Sequence, residues 1–334
     1  MKYSNNALNV LVALSCNGIG NAWIVKNIVG NETDEEMVDK INKDIDFDKF
    51  SDKKDEIREK IESLGDCIDG CVAFGDKDFP KYRTEKIKDS DKPVFLTYKG
   101  DLDLLNTKHL KIAVIGLLKP SEDIVKLEKE IVHKMLQKEA VIISGLATGC
   151  DSIAHKATLE KDLTTVAILP STLKNILPKE NCELADEIIL RGGLLISEYY
   201  EDLDIRNKND LSKLSNRYIQ RDRLQALYSD AVCLAASYSS DTKTEVNGKE
   251  VKRDTGSRHA LAKAGEWGIT RLFMYGKGRV FEDEMFDLNR KILNEGGIEI
   301  NLENADIVIG DIMQSKNNTK SLNKKHCEQK LCFD

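Results

Sequence analysis

An α/β fold with a mainly parallel sheet and helices on both faces is what the sequence predicts, and three features predict it. From Lys111 onwards, short apolar runs recur along the chain. Stretches of helical period, about 10–17 residues long, lie between them. Several runs end in glycine just before a helix opens, as at Ile115-Gly116 and Ser144-Gly145. Strands alternating with helices of that length are the grammar of βαβ units, which pair strands in parallel and cover both sheet faces. Right-handed crossovers then bring the loops that leave the strands to one edge, where Rossmann-like folds hold ligands.

Taken in order, residues 1–100 read as mostly helical. Ala7 to Leu14 suits a buried helix, Asn17-Gly18-Ile19-Gly20 a turn, and Trp23 to Val29 a second helix. Helix, Gly-x-Gly, helix outlines a helix-hairpin-helix, whose turn can hold a DNA phosphate on backbone N–H groups. A plain helical hairpin fits the same residues, and the turn carries no Lys or Arg. The strand candidates follow: Lys111–Ile115, Ala140–Ser144, Thr164–Leu169, Leu194–Ser197, Ala231–Ala235 and Arg271–Tyr275. Helices are expected near Ser121–Lys138, Ser152–Lys161 and Asn181–Leu190. Thr242–Val246 and Lys249–Arg253 flank Asn247-Gly248, the favoured type I′ turn, and predict a charged hairpin set into the α/β domain. The expected organisation is a helical domain over 1–75, a Rossmann-like domain over 76–312 with the hairpin at 242–253 inserted, and a polar, weakly ordered tail over 313–334.

Composition narrows the class. The chain has 334 residues, 41% hydrophobic and 32% charged, the profile of a folded rather than a disordered protein. No stretch approaches the roughly 18 apolar residues of a membrane span. The first residues lack the apolar core and cleavage site of a secretory signal, so the expected location is the cytoplasm. Eight cysteines include a Cys67-x-x-x-Cys71 spacing, but no second Cys or His pair follows at zinc-finger spacing. Reduced thiols and no metal are therefore expected. Net charge is −7, yet Asn31 to Asp69 alone holds 15 Asp/Glu against 7 Lys/Arg, so the rest of the chain sums to +1. An acidic chain with its acidity confined to one segment leaves room for a basic site elsewhere.

Three motifs carry chemistry. Ser144-Gly145-Leu146-Ala147-Thr148-Gly149-Cys150-Asp151-Ser152 leaves a strand and opens a helix. Its glycines let backbone approach a ligand, and the helix N-terminus offers N–H groups to an anion. It has no Gly-Lys-Ser/Thr and no GxGxxG, so neither a P-loop nor a dinucleotide fingerprint is present. Asp151 and His155 lie four apart: a helix cap with a core histidine, or two groups facing one ligand. Asn216-Arg217-Tyr218-Ile219-Gln220-Arg221-Asp222-Arg223 joins three arginines to a tyrosine, suiting phosphate contact and base stacking. A solvated helix face fits those residues as well. Thr255-Gly256-Ser257-Arg258-His259 is a second small-residue turn before a helix. No Ser-His-Asp set and no carboxylate pair assembles, so no catalytic residue and no enzyme activity are expected.

In their order these blocks resemble the DNA-processing protein A (DprA/Smf) family. Asp78-Phe79-Pro80 with Lys92 to Gly100 is similar to the family's lead-in, Ser144–His155 to its SGLAxGID block, and Pro178-Lys179-Glu180-Asn181 to its YPxxN turn. Gly192 to Glu198 is similar to GGLLISE, Tyr218–Arg223 to FPxRNR, and Thr255-Gly256-Ser257 to SGS. The resemblance spans roughly residues 75–310. It implies a Rossmann-like domain of the SLOG group behind a small SAM-like or helix-hairpin-helix domain. It also implies single-stranded DNA binding, a homodimer, transfer of DNA to a RecA-type recombinase, and no cofactor. Carried onto this chain, Gly116, Ser144, Gly145 and Gly149 would supply backbone N–H groups beside Asp151. Arg217, Arg221 and Arg223 would pair with phosphates, and Thr255, Gly256 and Ser257 would close the far side. The family's GTR is Gly116-Leu117-Leu118 here and its RNR is Arg221-Asp222-Arg223. No winged-helix domain is expected after Asp311. A SLOG-type nucleotide sensor, as in phage defence or a mobile element, is the alternative. A phosphoribohydrolase of the cytokinin-activating kind lacks its PGGxGTxxE signature here.

Overall fold

The computed structural model describes residues 3–41, 45–82, 86–204, 206–246, 249–252 and 256–316. Four helices come first: α1 (Asn5–Ser15), α2 (Asn21–Asn27), α3 (Asp34–Ile41) and α4 (Phe47–Glu62). Side-chain caps set two of their starts, Ser4 accepting from the Ala7 N–H and Asp46 from the Lys49 N–H. Strands β1 (Gly70–Ala73), β2 (Phe95–Gly100) and β3 (Lys111–Ile115) follow, then α5 (Glu122–Gln137), β4 (Val141–Ser144), α6 (Cys150–Leu159), β5 (Thr165–Ile168), α7 (Cys182–Leu190) and β6 (Leu194–Ser197). The chain continues through α8 (Lys208–Leu227), β7 (Ala231–Leu234), β8 (Lys243–Val246), β9 (Lys249–Lys252), α9 (Arg258–Trp267), β10 (Thr270–Met274), α10 (Asp287–Asn294) and β11 (Ile298–Ile300). A helical stretch over 305–316 closes the described chain.

The chain forms two compact units. The first takes Met1–Asn106, Gly145–Ala147 and Thr164–Tyr228; the second takes Thr107–Ser144, Thr148–Leu163 and Ser229–Asp334. In the second unit the strand order is β4-β3-β7-β10-β11, and every neighbouring pair is parallel, with Ile112 opposite Ile142, Ala113 opposite Val232 and Phe273 opposite both Leu234 and Glu299. Side chains along a strand alternate between faces, so β4 and β7, buried at every residue, have both faces covered. Ile131 and Met135 of α5, Ala154 and Ala157 of α6, and Ile112, Ile142 and Cys233 of the strands share one core. This is the expected Rossmann-like α/β architecture.

The first unit is mixed. Its strands run β1-β2-β6-β5; β5 and β6 are parallel, whereas β2 is antiparallel to both β1 and β6. Two expectations change here. Residues 1–100 are not mostly helical throughout, because Gly70–Ala73 and Phe95–Gly100 are strands. Nor do the compact units divide at residue 75. Asn6 donates from Nδ2 to the Phe74 carbonyl at 3.0 Å and to Asp76 at 2.9 Å, and Asp76 also accepts from Ser4 Oγ and the Ala73 N–H. One carboxylate thus stitches the start of α1 to the end of β1.

The hairpin forms as its own two-stranded sheet, β8 antiparallel to β9, with Lys243 opposite Lys252 and Val246 opposite Lys249. Its Asn247-Gly248 turn lies outside the described residues, as do Arg253 and residues 317–334 of the expected tail. The tail's first residues, 313–316, are helical: Lys316 is buried and pairs with Asp230 at 2.6 Å. Among the described residues no helix is long and apolar enough to cross a membrane.

Candidate functional site

In the second unit β3 delivers Gly116, β4 delivers Ser144, and two helices open beside Gly116. The loop into α6 is tight because its backbone has no room for side chains. A Cβ on Gly116 would stand 2.6 Å from Cys150 Sγ. Gly149 has φ +76°, and a Cβ there would run into the Leu117 and Leu118 carbonyls. The Leu117 carbonyl accepts from the Cys150 N–H at 2.9 Å, which fixes the start of α6 against the β3 exit. Ser257, the N-cap of α9, turns its hydroxyl away from its own helix and donates to the Gly116 carbonyl at 3.2 Å. Gly116, Gly149 and Ser257 are therefore brought together. Neither α6 nor α9 has a side-chain cap hydrogen bond at its N-terminus. Helix starts left uncapped by side chains, beside exposed backbone, suit an anion.

The two starts differ electrically. The first turn of α6 carries Asp151, whereas that of α9 carries no acid and begins with Arg258. Gly256, just before it, is exposed, and a Cβ there would meet nothing within 4 Å. Asp151 does not cap α6: the N-cap is Gly149, and Asp151 is buried in the first turn. Ser144 is fully buried, its hydroxyl spent on the Val114 carbonyl at 2.6 Å. Thr255 lies outside the described residues. Lys119, missed by the motif reading, is exposed three residues beyond Gly116 and supplies a cation where the resemblance found an arginine lacking. Its neighbours in sequence, Leu118 and Pro120, gave no pattern to flag it.

Beneath this loop sits a group that no sequence pattern marked. Glu128 of α5 is completely buried, and among the described residues its carboxyl oxygens meet no hydrogen-bond partner beyond the neighbouring Cys150 thiol. Burial pushes its carboxyl well above the usual carboxylate range and pushes the neighbouring Cys150 thiol up as well. Burial thus favours the neutral form of both, and a thiol held neutral in this way is inert. Among the described residues no cluster of His, Cys, Asp or Glu could hold a metal ion.

In the first unit Gly145, Leu146 and Ala147 carry the same loop. Leu146 is buried with φ +57°, a conformation strained for a leucine, and Asn181 Nδ2 holds its carbonyl at 2.8 Å. The three arginines lie on α8, a 20-residue helix whose last seven residues are buried. That corrects their expected exposure. Arg223 donates from NH2 to both Glu198 oxygens at 2.7 and 2.6 Å, from Nε to Gln220 at 2.8 Å, and to the Asp91 carbonyl. The Arg223 and Glu198 side chains are only 5% and 14% exposed. Arg221 is 7% exposed, with Nε 3.2 Å from Asp222 and its guanidinium 5.6 Å from the Tyr218 ring. Arg217 alone stays partly open. Its guanidinium stacks 4.0 Å from the centre of the Tyr199 ring and donates to the Glu201 carbonyl at 3.0 Å.

Comparison with known proteins gives a consistent picture. The family model described as DNA recombination-mediator protein A matches residues 70–243. DNA processing protein DprA of Streptococcus pneumoniae is 38% identical over 133 residues, which cover 37% of this chain and 46% of that protein. The corresponding protein of Bacillus subtilis is 32% identical over 109 residues, 33% of this chain and 36% of its own. The matched stretch thus spans less than half the length of these relatives. Protein Smf of Borreliella burgdorferi is 26% identical over 254 residues, 72% of this chain and 76% of its own. In three dimensions the chain is similar to the X-ray structure of DprA from S. pneumoniae, with TM-score 0.66 and 23% identity over 92% of this chain and 98% of the other. It is also similar to DNA processing protein A from Helicobacter pylori, solved to show its single-stranded DNA binding mode, with TM-score 0.52 and 23% identity over 72% and 99%.

Proposed function

Since the chain belongs to the DNA recombination-mediator protein A family, we propose that it binds single-stranded DNA without cutting it and passes the strand to a RecA-type recombinase. The observation that carries this reading is the cradle in the second unit. Two helix starts without side-chain caps flank the Gly116 backbone, with exposed Lys119 and Arg258 on the same loops. Such a cradle takes a phosphodiester on N–H dipoles and cations and reads no base, so binding is sequence-tolerant. The phosphate-binding set is Gly116, Gly149, Gly256 and Ser257, with Lys119 added. Ser144, Gly145 and Asp151 shape the loop, and Thr255 precedes Gly256 in sequence. Arg217 is the arginine open enough to reach a strand, while Arg221 and Arg223 support α8 from within. The family resemblance also suggests a homodimer in the cytoplasm, which light scattering on the purified chain would check.

The test is Gly256→Asp. It adds a negative charge where the strand would lie, in open space, so the fold is expected to hold. Lys119→Glu does the same on the neighbouring loop. Each should weaken binding of a fluorescein-labelled oligothymidylate by roughly ten-fold or more, since charge-assisted phosphate contacts contribute about 1.5–3 kcal/mol. Wild-type affinity in both, with unchanged melting temperatures, would sink the cradle as the DNA site.

A further inference from the structure

The first unit holds a cleft of about 530 Å³ beside the N-terminal half of α8. That is the volume of a small-molecule site. Four cations from three stretches of chain line it: Lys60 at the end of α4, Lys174 after β5, and Lys213 and Arg217 one turn apart on α8. Acids line it too, and most of the charge is already spent. Lys60 pairs with Glu201 at 2.5 Å, Lys213 pairs with Asp210 at 2.8 Å, and Asp202 is held by the Thr172 hydroxyl and the Asn175 amide.

Lys174 and Arg217 remain, against the one carboxylate of Asp202. Among the described residues Lys174 donates to the Ser63 carbonyl at 2.9 Å, and Arg217 to the Glu201 carbonyl. Neither has a carboxylate at ion-pair distance among the described residues. A neutral carbonyl uses one of three ammonium donors, or one of five guanidinium donors, and leaves donors to spare; Glu201, Asp202 and Asp210 act on Arg217 through space without pairing with it. Arg217 is partly desolvated, which strengthens its pull on an anion.

Flat groups adjoin these cations. The Arg217 guanidinium is stacked on Tyr199, and Tyr200, another wall of the cleft, is held edge-on against Phe95 with ring centres 5.8 Å apart. Cations with donors to spare beside pre-positioned planar surfaces match a phosphate joined to an aromatic base. We propose that this cleft binds a phosphorylated nucleoside, with Lys174 and Arg217 on the phosphate and the Tyr199–Arg217 stack or Tyr200 against the base. The cleft is separate from the glycine cradle: its residues all belong to the first unit, and Lys60 lies outside the stretch that matches the family model. Its ligand is one nucleotide of a bound strand or a free mononucleotide. Only the strand form rests on the DNA-binding reading above.

The probes are labelled oligothymidylate and thymidine 5′-monophosphate, titrated against wild type, Lys174→Glu and Gly256→Asp, with melting temperatures on all three. Lys174 is exposed and tied only to a carbonyl, so its variant should fold normally. Lys174→Glu is expected to lower affinity for both probes by about ten-fold or more, whereas Gly256→Asp lowers it for the oligonucleotide alone. If wild type binds the mononucleotide but no oligonucleotide, and Lys174→Glu loses the mononucleotide, the cleft serves a free nucleotide and the DNA reading falls. If Lys174→Glu binds every probe as wild type does, the cleft is not a nucleotide site, and oligonucleotide binding then stands on the cradle alone. Binding of neither probe by wild type overturns both.

Discussion

At the scale of single residues, burial decides what a charged group can do. Arg223 looked like a phosphate contact because it sits in an arginine-rich block. In the fold its guanidinium is spent on Glu198, Gln220 and Asp91. Removing one member of a buried pair strands the other, at about 3–5 kcal/mol, while replacing both by apolar residues is often neutral. Arg223→Ala should therefore lower stability by roughly that amount in urea unfolding, and Arg223→Met with Glu198→Leu should recover most of it. An Arg223→Ala protein with wild-type stability and lost DNA affinity would return the arginine to the binding surface. Glu128 gives a second residue-level prediction. Its folded pKa is raised above the unfolded value, so the native state holds a proton that the unfolded chain releases. The stability it contributes is complete below the ordinary carboxylate range and is lost as pH rises towards its folded pKa, at about 1.4 kcal/mol per pH unit. Glu128→Gln cannot ionise, so its melting temperature relative to wild type should rise steadily between pH 5 and pH 8. Parallel curves for the two proteins would mean that Glu128 is not buried as a neutral acid.

At the scale of elements, glycines and caps set the geometry of the site. The α6 loop needs Gly149 because φ there is positive and carbonyls lie where a Cβ would go. The hairpin is the opposite case. Its two strands form a sheet of their own, entered just after Thr242. There Thr242 is buried, accepts from the Ser239 N–H at 3.0 Å and donates to Asp287. Replacing residues 243–252 with a short Gly/Ser loop should leave the melting temperature nearly unchanged, whereas Thr242→Val should cost about 1–2 kcal/mol. A large loss on removing the hairpin would make it part of the core or of a subunit interface. The helix α8 shows what a sequence window hides. Its residues 208–220 are mostly exposed and its residues 221–227 all buried, yet arginines occupy both halves.

For the whole molecule the balance of charge matters most to its partner. A chain of net charge −7 repels a polyanion at long range, so any DNA affinity must come from local cations and N–H dipoles. Contacts to about 3–4 phosphates would give a log affinity against log salt slope near −2 to −3, at roughly −0.7 per contact on a single strand. Affinity that does not change between low and moderate salt would count against a phosphate cradle and in favour of a pocket for a small ligand.

The sequence by itself determined the βαβ order, six strands that run parallel to a neighbour (β3, β4, β5, β6, β7 and β10), and the small-residue turns at Gly116, Gly149 and Ser257. Each of these is written locally, in hydrophobic period and in glycine placement, which act over a few residues. It did not reveal β1, β2 or β11, because a strand of three or four residues such as Gly70–Ala73 or Ile298–Ile300 is defined by its partner rather than by its own pattern. Only the tertiary structure decided that Arg221 and Arg223 face inward while Arg217 and Lys174 keep donors to spare, and that Glu128 is wholly buried beneath the loop. The reason is physical: a residue's charge is fixed by its chemistry, but its solvation and its partners come from segments far away in the chain, as Glu198 and Asp91 do for Arg223.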